Sequence, residues 1–168
     1  APGAGARFSI LWPMEPARPP REASGQAAEG DPARLGGAMV LVAEDSEPVL
    51  GVLSEILARA GAEVGGCADP RDALAALEED PASWDLLVTD FDMPGLTGAE
   101  LARAASRAAP GLAVLLCTAL PDWRGRDAAA AELFDAVTAK PVREAALLSA
   151  AARAIARRQS REDLPCVS

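Results

Sequence analysis

Histidine is absent from the 168 residues, and so is tyrosine. Without an imidazole these residues cannot build a Ser/His or Cys/His nucleophile, a His-ligated zinc centre or a phosphohistidine of their own. Cysteine is scarce: Cys67, Cys117 and Cys166 are odd in number, far apart and without Cys-x-x-Cys spacing. They read as reduced thiols, two of them packed inside strands, and neither a disulfide framework nor a zinc site is expected. Aromatic residues make up 4% of the chain against 50% hydrophobic, so the core has to be built from Ala, Leu and Val. Excess positive charge is lacking too. The formal charge is −9, which argues against nucleic acid or an anionic membrane as partner, since both demand clustered Lys and Arg. No apolar run approaches the roughly 20 residues that cross a bilayer. The first residues show no basic stretch leading into a long apolar one, so no signal peptide is expected and a cytoplasmic location is.

What is present falls into two parts. Residues 14–37 are rich in Pro, Gly, Ala and Glu and have no apolar periodicity, which is the composition of a flexible linker. Ahead of it, residues 1–13 hold one short strand-like piece, Ala6-Arg7-Phe8-Ser9-Ile10-Leu11-Trp12, with nothing nearby to pair with. From Met39 onward the pattern alternates. Strand-like apolar runs at about 39–43, 63–68, 85–89, 112–117 and 134–138 are separated by helical patterns at Glu47–Ala60, Pro70–Glu79, Thr97–Ala108, Asp122–Glu132 and Val142–Arg158. In the first helix Val49, Leu50, Val52, Leu53, Ile56 and Leu57 make one apolar stripe. Asp45 or Ser46 can cap its start, Gly61 can end it, and Thr97 with Glu100 offers a capping box for the third helix. Five βα units with continuous apolar strands call for an α/β fold, a doubly wound parallel sheet over about residues 38–158, followed by a polar tail at 159–168. In such a sheet the ligand lies beyond the carboxyl ends of the strands.

The chemistry-bearing residues collect at those ends. Glu44-Asp45 closes the first run, and Asp90 closes the third before the turn Phe91-Asp92-Met93-Pro94-Gly95. Thr118 closes the fourth, and Lys140-Pro141 follows the fifth. Taken singly, each has a plainer reading: a capping acid and its solvated neighbour, a turn former, a β-branched strand residue, a surface lysine before a helix-starting proline. Taken together, they all stand at successive strand exits of one sheet. Converging carboxylates repel one another unless a cation neutralises them, and hard oxygen ligands with room for water favour Mg²⁺. The Asp90 carboxylate, already anionic, can then attack phosphorus without a base. The metal and the lysine ammonium balance the charge on the phosphoryl oxygens, and a threonine hydroxyl donates to one of them.

Residues 39–157 resemble a response-regulator receiver domain of two-component signalling. The likeness is carried by Glu44-Asp45, the run Leu86-Leu87-Val88-Thr89-Asp90-Phe91-Asp92-Met93-Pro94-Gly95-Leu96-Thr97-Gly98, Thr118 followed by the small Ala119, and Lys140-Pro141. It implies a flavodoxin-like (βα)5 fold with strand order 2-1-3-4-5 and a phosphorelay function. Asp90 would accept a phosphoryl group from a phosphohistidine of a histidine kinase or histidine phosphotransfer protein. Mg²⁺ would bind Asp45, Asp90 and the backbone carbonyl of Asp92, with Glu44 acting through water, while Thr118 and Lys140 grip the phosphoryl group. It also implies a docking face on the last strand and its flanking helices, room for a homodimer, and a cis bond at Lys140-Pro141. A receiver of this kind is not a stand-alone enzyme.

One place departs from the family. Where an aromatic usually stands three residues before the lysine, this chain has Val137. Either the switch is damped or another aromatic, Phe134 or Trp123, reports the change; Trp123 also reads as an ordinary packed helix residue. The segment Gly3–Pro13 is similar to the closing strand of a histidine-kinase ATP-binding domain, which would make the domain the C-terminal receiver of a hybrid histidine kinase; read otherwise it is an unstructured leader. Two rival functions stay open. Asp90-Phe91-Asp92 also resembles the nucleophile motif of haloacid-dehalogenase-like phosphatases, although it stands on the third strand rather than the first, after an acidic pair, with no segment long enough for a cap. A degenerate receiver serving only as a docking module is the other.

Overall fold

The computed structural model describes residues 35–162. The expected strand in 1–13, the linker up to residue 34, Cys166 and the end of the polar tail lie outside them. Five strands alternate with helical segments: β1 Met39–Ala43, α1 Glu47–Arg59, β2 Glu63–Cys67, α2 Pro70–Glu79, β3 Leu86–Thr89, α3 Gly98–Ala108, β4 Ala113–Thr118, α4 Trp123–Arg126, a 3₁₀ segment Ala128–Leu133, β5 Ala136–Ala139 and α5 Glu144–Glu162. The strands form one parallel sheet in the order β2-β1-β3-β4-β5. This is the doubly wound, flavodoxin-like arrangement expected from the sequence.

Alternation along each strand divides the core into two layers. Leu41, Ala43, Leu87, Val114 and Leu116 face α2, α3 and the 3₁₀ segment, where they meet Leu77, Leu101, Ala102 and Ala105. Val40, Val42, Leu86, Val88, Leu115 and Cys117 face α1 and α5, where they meet Leu53, Leu57, Leu147, Ala151 and Ala154. Strands covered on both faces have no polar alternation, which is why the runs read as continuously apolar. Small alanines let α3 and α5 lie close against the sheet, as the low aromatic content requires.

Helix ends follow local chemistry. Thr97 accepts a hydrogen bond from the Glu100 amide while the Glu100 carboxylate accepts one from the Thr97 amide, completing the expected capping box. Gly61 follows α1 at φ 89°, a conformation that costs glycine nothing. Ser46 occupies the N-cap of α1 by its backbone angles, without a side-chain bond.

Several boundaries differ from the sequence reading. The helix expected over Asp122–Glu132 is one α turn and then a 3₁₀ segment, because Asp127 leaves helical angles, at φ −150°, and caps the Ala130 amide with its own carboxylate. That carboxylate is held by Arg103 of α3 at 2.5 Å. The last helix starts at Glu144 rather than Val142 and continues to Glu162, into the stretch read as tail. At the other end, Leu35 belongs to the core and not to a linker: its side chain is fully buried against the α1–α5 layer, and Gly37 donates its amide to Gly61.

Candidate functional site

Parallel strands deliver their last residues to one edge, and backbone bonds carry the register past the strand ends. The Glu44 amide donates to the Cys67 carbonyl, the Asp90 amide to the Ala43 carbonyl, and the Lys140 amide to the Thr118 carbonyl. Glu44, Asp90 and Lys140 are thereby fixed relative to one another before any side chain acts.

The side chains then converge. Carboxylate oxygens of Glu44, Asp45 and Asp90 all lie within 4.8 Å of one another. The Lys140 ammonium enters this cluster and donates to Glu44 Oε2 at 2.6 Å and to Asp90 Oδ2 at 2.8 Å. The second Asp90 oxygen, Oδ1, accepts from the Phe91 amide at 2.6 Å, so both oxygens of that carboxylate have a fixed partner. Thr118 ends β4, buried, and its hydroxyl accepts from the Leu120 amide at 3.1 Å. Asp92 is exposed in the turn, two residues past Asp90. The Lys140–Pro141 bond is cis.

Burial sets the electrostatics. Glu44 is only 1% exposed, and that burial pushes its carboxyl above the ordinary value, against the hydrogen bond and charge of Lys140; the nearby Asp90 charge adds to the rise. Burial on its own would lower Lys140. The hydrogen bonds it gives Asp90 and Glu44, together with their charges, outweigh it and hold the ammonium above its usual range. The lysine is therefore firmly cationic. Beneath the site, burial pushes the Cys117 thiol up to about 12, which makes it inert filling rather than a nucleophile.

The donor set fits a small hard cation: three carboxylates, no nitrogen or sulfur, with Asp45 exposed to solvent so that water can complete a shell. Glu44, Asp45 and Asp90 are the residues that could hold it.

Two residues escaped the sequence reading. Thr89, fully buried, donates its hydroxyl to the Asp90 carbonyl at 2.9 Å. Gly98, the first residue of α3, leaves open the space that carbonyl occupies, because a Cβ there would collide with Asp90 O; its amide also donates to the Phe91 carbonyl at 2.9 Å. Both lay in the quoted run, but only tertiary docking reveals what they touch. Trp123 is 3% exposed and packs between Phe91 and Phe134, tilted against the first and edge-on to the second, with ring centroids 6.2 and 5.3 Å away. Val137 is half-buried against the same layer.

A five-stranded doubly wound domain with a lysine-bridged carboxylate cluster at the carboxyl edge defines a class of small flavodoxin-like proteins. Residues 40–152 match the model of the response regulator receiver domain. The chain is 35% identical over 102 residues to a response regulator receiver protein of Anaeromyxobacter, covering 61% of this chain and 42% of that one. It is 35% identical over 126 residues to the virulence sensor protein BvgS of Bordetella bronchiseptica, covering 70% of this chain and 10% of that protein. The chain thus spans less than half the length of either relative. A crystal structure of a response regulator receiver domain protein from Clostridium thermocellum superposes with TM-score 0.67 at 28% identity, covering 74% of this chain and 98% of that one. This chain belongs to the response regulator receiver domain family of two-component signalling.

Proposed function

We propose that the domain accepts a phosphoryl group on Asp90 from a phosphohistidine of a partner protein, with Mg²⁺ held by Asp45, Asp90 and the Asp92 carbonyl and by Glu44 through water. In the step, an Asp90 carboxylate oxygen forms a P–O bond as the P–N bond of the donor breaks. The bonding pair leaves with the imidazole nitrogen, and the product is an acyl phosphate. Bound Mg²⁺ supplies charge neutralisation among the carboxylates and on the phosphoryl oxygens. Lys140 adds fixed positive charge where negative charge arrives, and the Thr118 hydroxyl is the donor for a phosphoryl oxygen. The observation that carries this reading is the convergence of Lys140, Glu44 and Asp90 within hydrogen-bond distance.

Receiver domains work with histidine kinases or phosphotransfer proteins. For this one we favour service within or beside a hybrid kinase, in keeping with its similarity to part of a sensor protein. The net charge of −9 supports protein rather than nucleic acid or anionic lipid as its partner. With Val137 at the usual aromatic place, the packed rings of Phe91, Trp123 and Phe134 are the aromatic group that could register the change.

The test is intact-protein mass spectrometry after incubation with acetyl phosphate and Mg²⁺. A single phosphoryl adduct, absent without the metal and absent in Asp90→Asn, is expected. No adduct, or one that persists in Asp90→Asn, overturns the reading.

A further inference from the structure

We infer that Thr89 is a positioning residue for the phosphoryl acceptor, acting through the peptide plane that joins Asp90 to Phe91. This rests on the assignment of Asp90 as acceptor. Thr89 is fully buried at the end of β3, and its hydroxyl does not serve the sheet: it donates to the Asp90 carbonyl at 2.9 Å. The same peptide unit carries the Phe91 N–H, which donates to Asp90 Oδ1 at 2.6 Å. A peptide plane is rigid, so fixing its oxygen fixes the direction of its N–H. Fixing that N–H in turn sets the rotation of the Asp90 carboxylate, and leaves Oδ2 to Lys140 at 2.8 Å. Gly98 makes room for the carbonyl but does not orient it by a hydrogen bond, since its amide is spent on the Phe91 carbonyl. Of these contacts, the Thr89 hydroxyl is the one that a single substitution can delete without changing shape. Orientation of a reacting group is worth rate in proportion to how sharply it is held.

The experiment compares wild type, Thr89→Val and Thr89→Ser. Valine keeps the β-branched volume and removes the donor; serine keeps the donor. With acetyl phosphate and Mg²⁺, Thr89→Val should lower the maximal phosphorylation rate about fivefold, the effect of one hydrogen bond, with little change in the acetyl phosphate concentration for half-maximal rate. Thr89→Ser should restore most of it. In ¹H–¹⁵N spectra the Phe91 amide, shifted downfield by its carboxylate partner, should move upfield in Thr89→Val and return in Thr89→Ser. A rate and a Phe91 resonance unchanged in Thr89→Val overturn the inference while leaving Asp90 as acceptor. If wild type itself takes no phosphoryl group, the underlying assignment fails and the inference with it. If Thr89→Val does not fold, Thr89→Ala with the same two readouts decides the matter.

Discussion

Lys140 and Glu44 stand 2.6 Å apart although they follow β5 and β1, which are separated in the sheet by β3 and β4. The lysine stem spans that gap and passes Asp90 on the way. A buried carboxylate is thus tied to a cation from the far side of the site.

Replacing the lysine should therefore cost stability. Lys140→Met leaves Glu44 buried beside Asp90 without its counter-ion, and should lower unfolding free energy by about 2 kcal/mol at neutral pH. The loss should shrink in a Glu44→Gln background. Urea denaturation of the four proteins in that cycle measures the coupling; strict additivity would refute it.

Asp45 is different because it is exposed and has no bond to the lysine. Asp45→Ala should leave the melting temperature nearly unchanged and weaken Mg²⁺ binding at least about tenfold, as expected for losing a direct carboxylate ligand. Calorimetric titration with Mg²⁺ checks this.

Gly98→Ala should be damaging out of proportion to its size. The added methyl group collides with the Asp90 carbonyl, so β3 or α3 has to move, at about 2–3 kcal/mol. Thermal unfolding reads the loss, and the adduct yield on Asp90 should fall with it.

Stability should decline at alkaline pH in two stages. The Cys117 thiol is raised from 9.0 to about 12, so between those values the unfolded chain releases its proton first and the folded state loses stability as pH rises. A shift of that size is worth up to about 4 kcal/mol. Lys140, also raised, contributes stability that is complete below 10.5 and is lost as pH climbs through its folded value. Cys117→Ala should flatten the earlier decline, and Lys140→Met the later one, in urea midpoints taken across pH 8 to about 12.

Much of this was legible from the sequence because it is periodic or local. Apolar runs marked all five strands, the Thr97–Glu100 pair marked a helix start, and strand exits marked where Glu44, Asp45, Asp90, Thr118 and Lys140 would gather. Acids and a lysine at the ends of parallel strands have only one edge on which to meet. What stayed hidden depends on distant partners. Asp122–Glu132 is alanine-rich and reads as a helix, yet Asp127 breaks it with the help of Arg103, 24 residues earlier. Thr89 looks like any β-branched strand residue until the Asp90 carbonyl is seen beneath its hydroxyl. Leu35 sits among glycines in a stretch of linker composition, and nothing in that neighbourhood announces a core residue.

That leucine bears on any shortened version of the protein. Its side chain is fully buried in the layer that includes Val40, Leu57 and Ala62, so a form trimmed to start at Ala38 would carry a leucine-sized hole there. Such a trimmed form should melt earlier and aggregate more readily, with the cluster of Glu44, Asp45, Asp90 and Lys140 itself untouched.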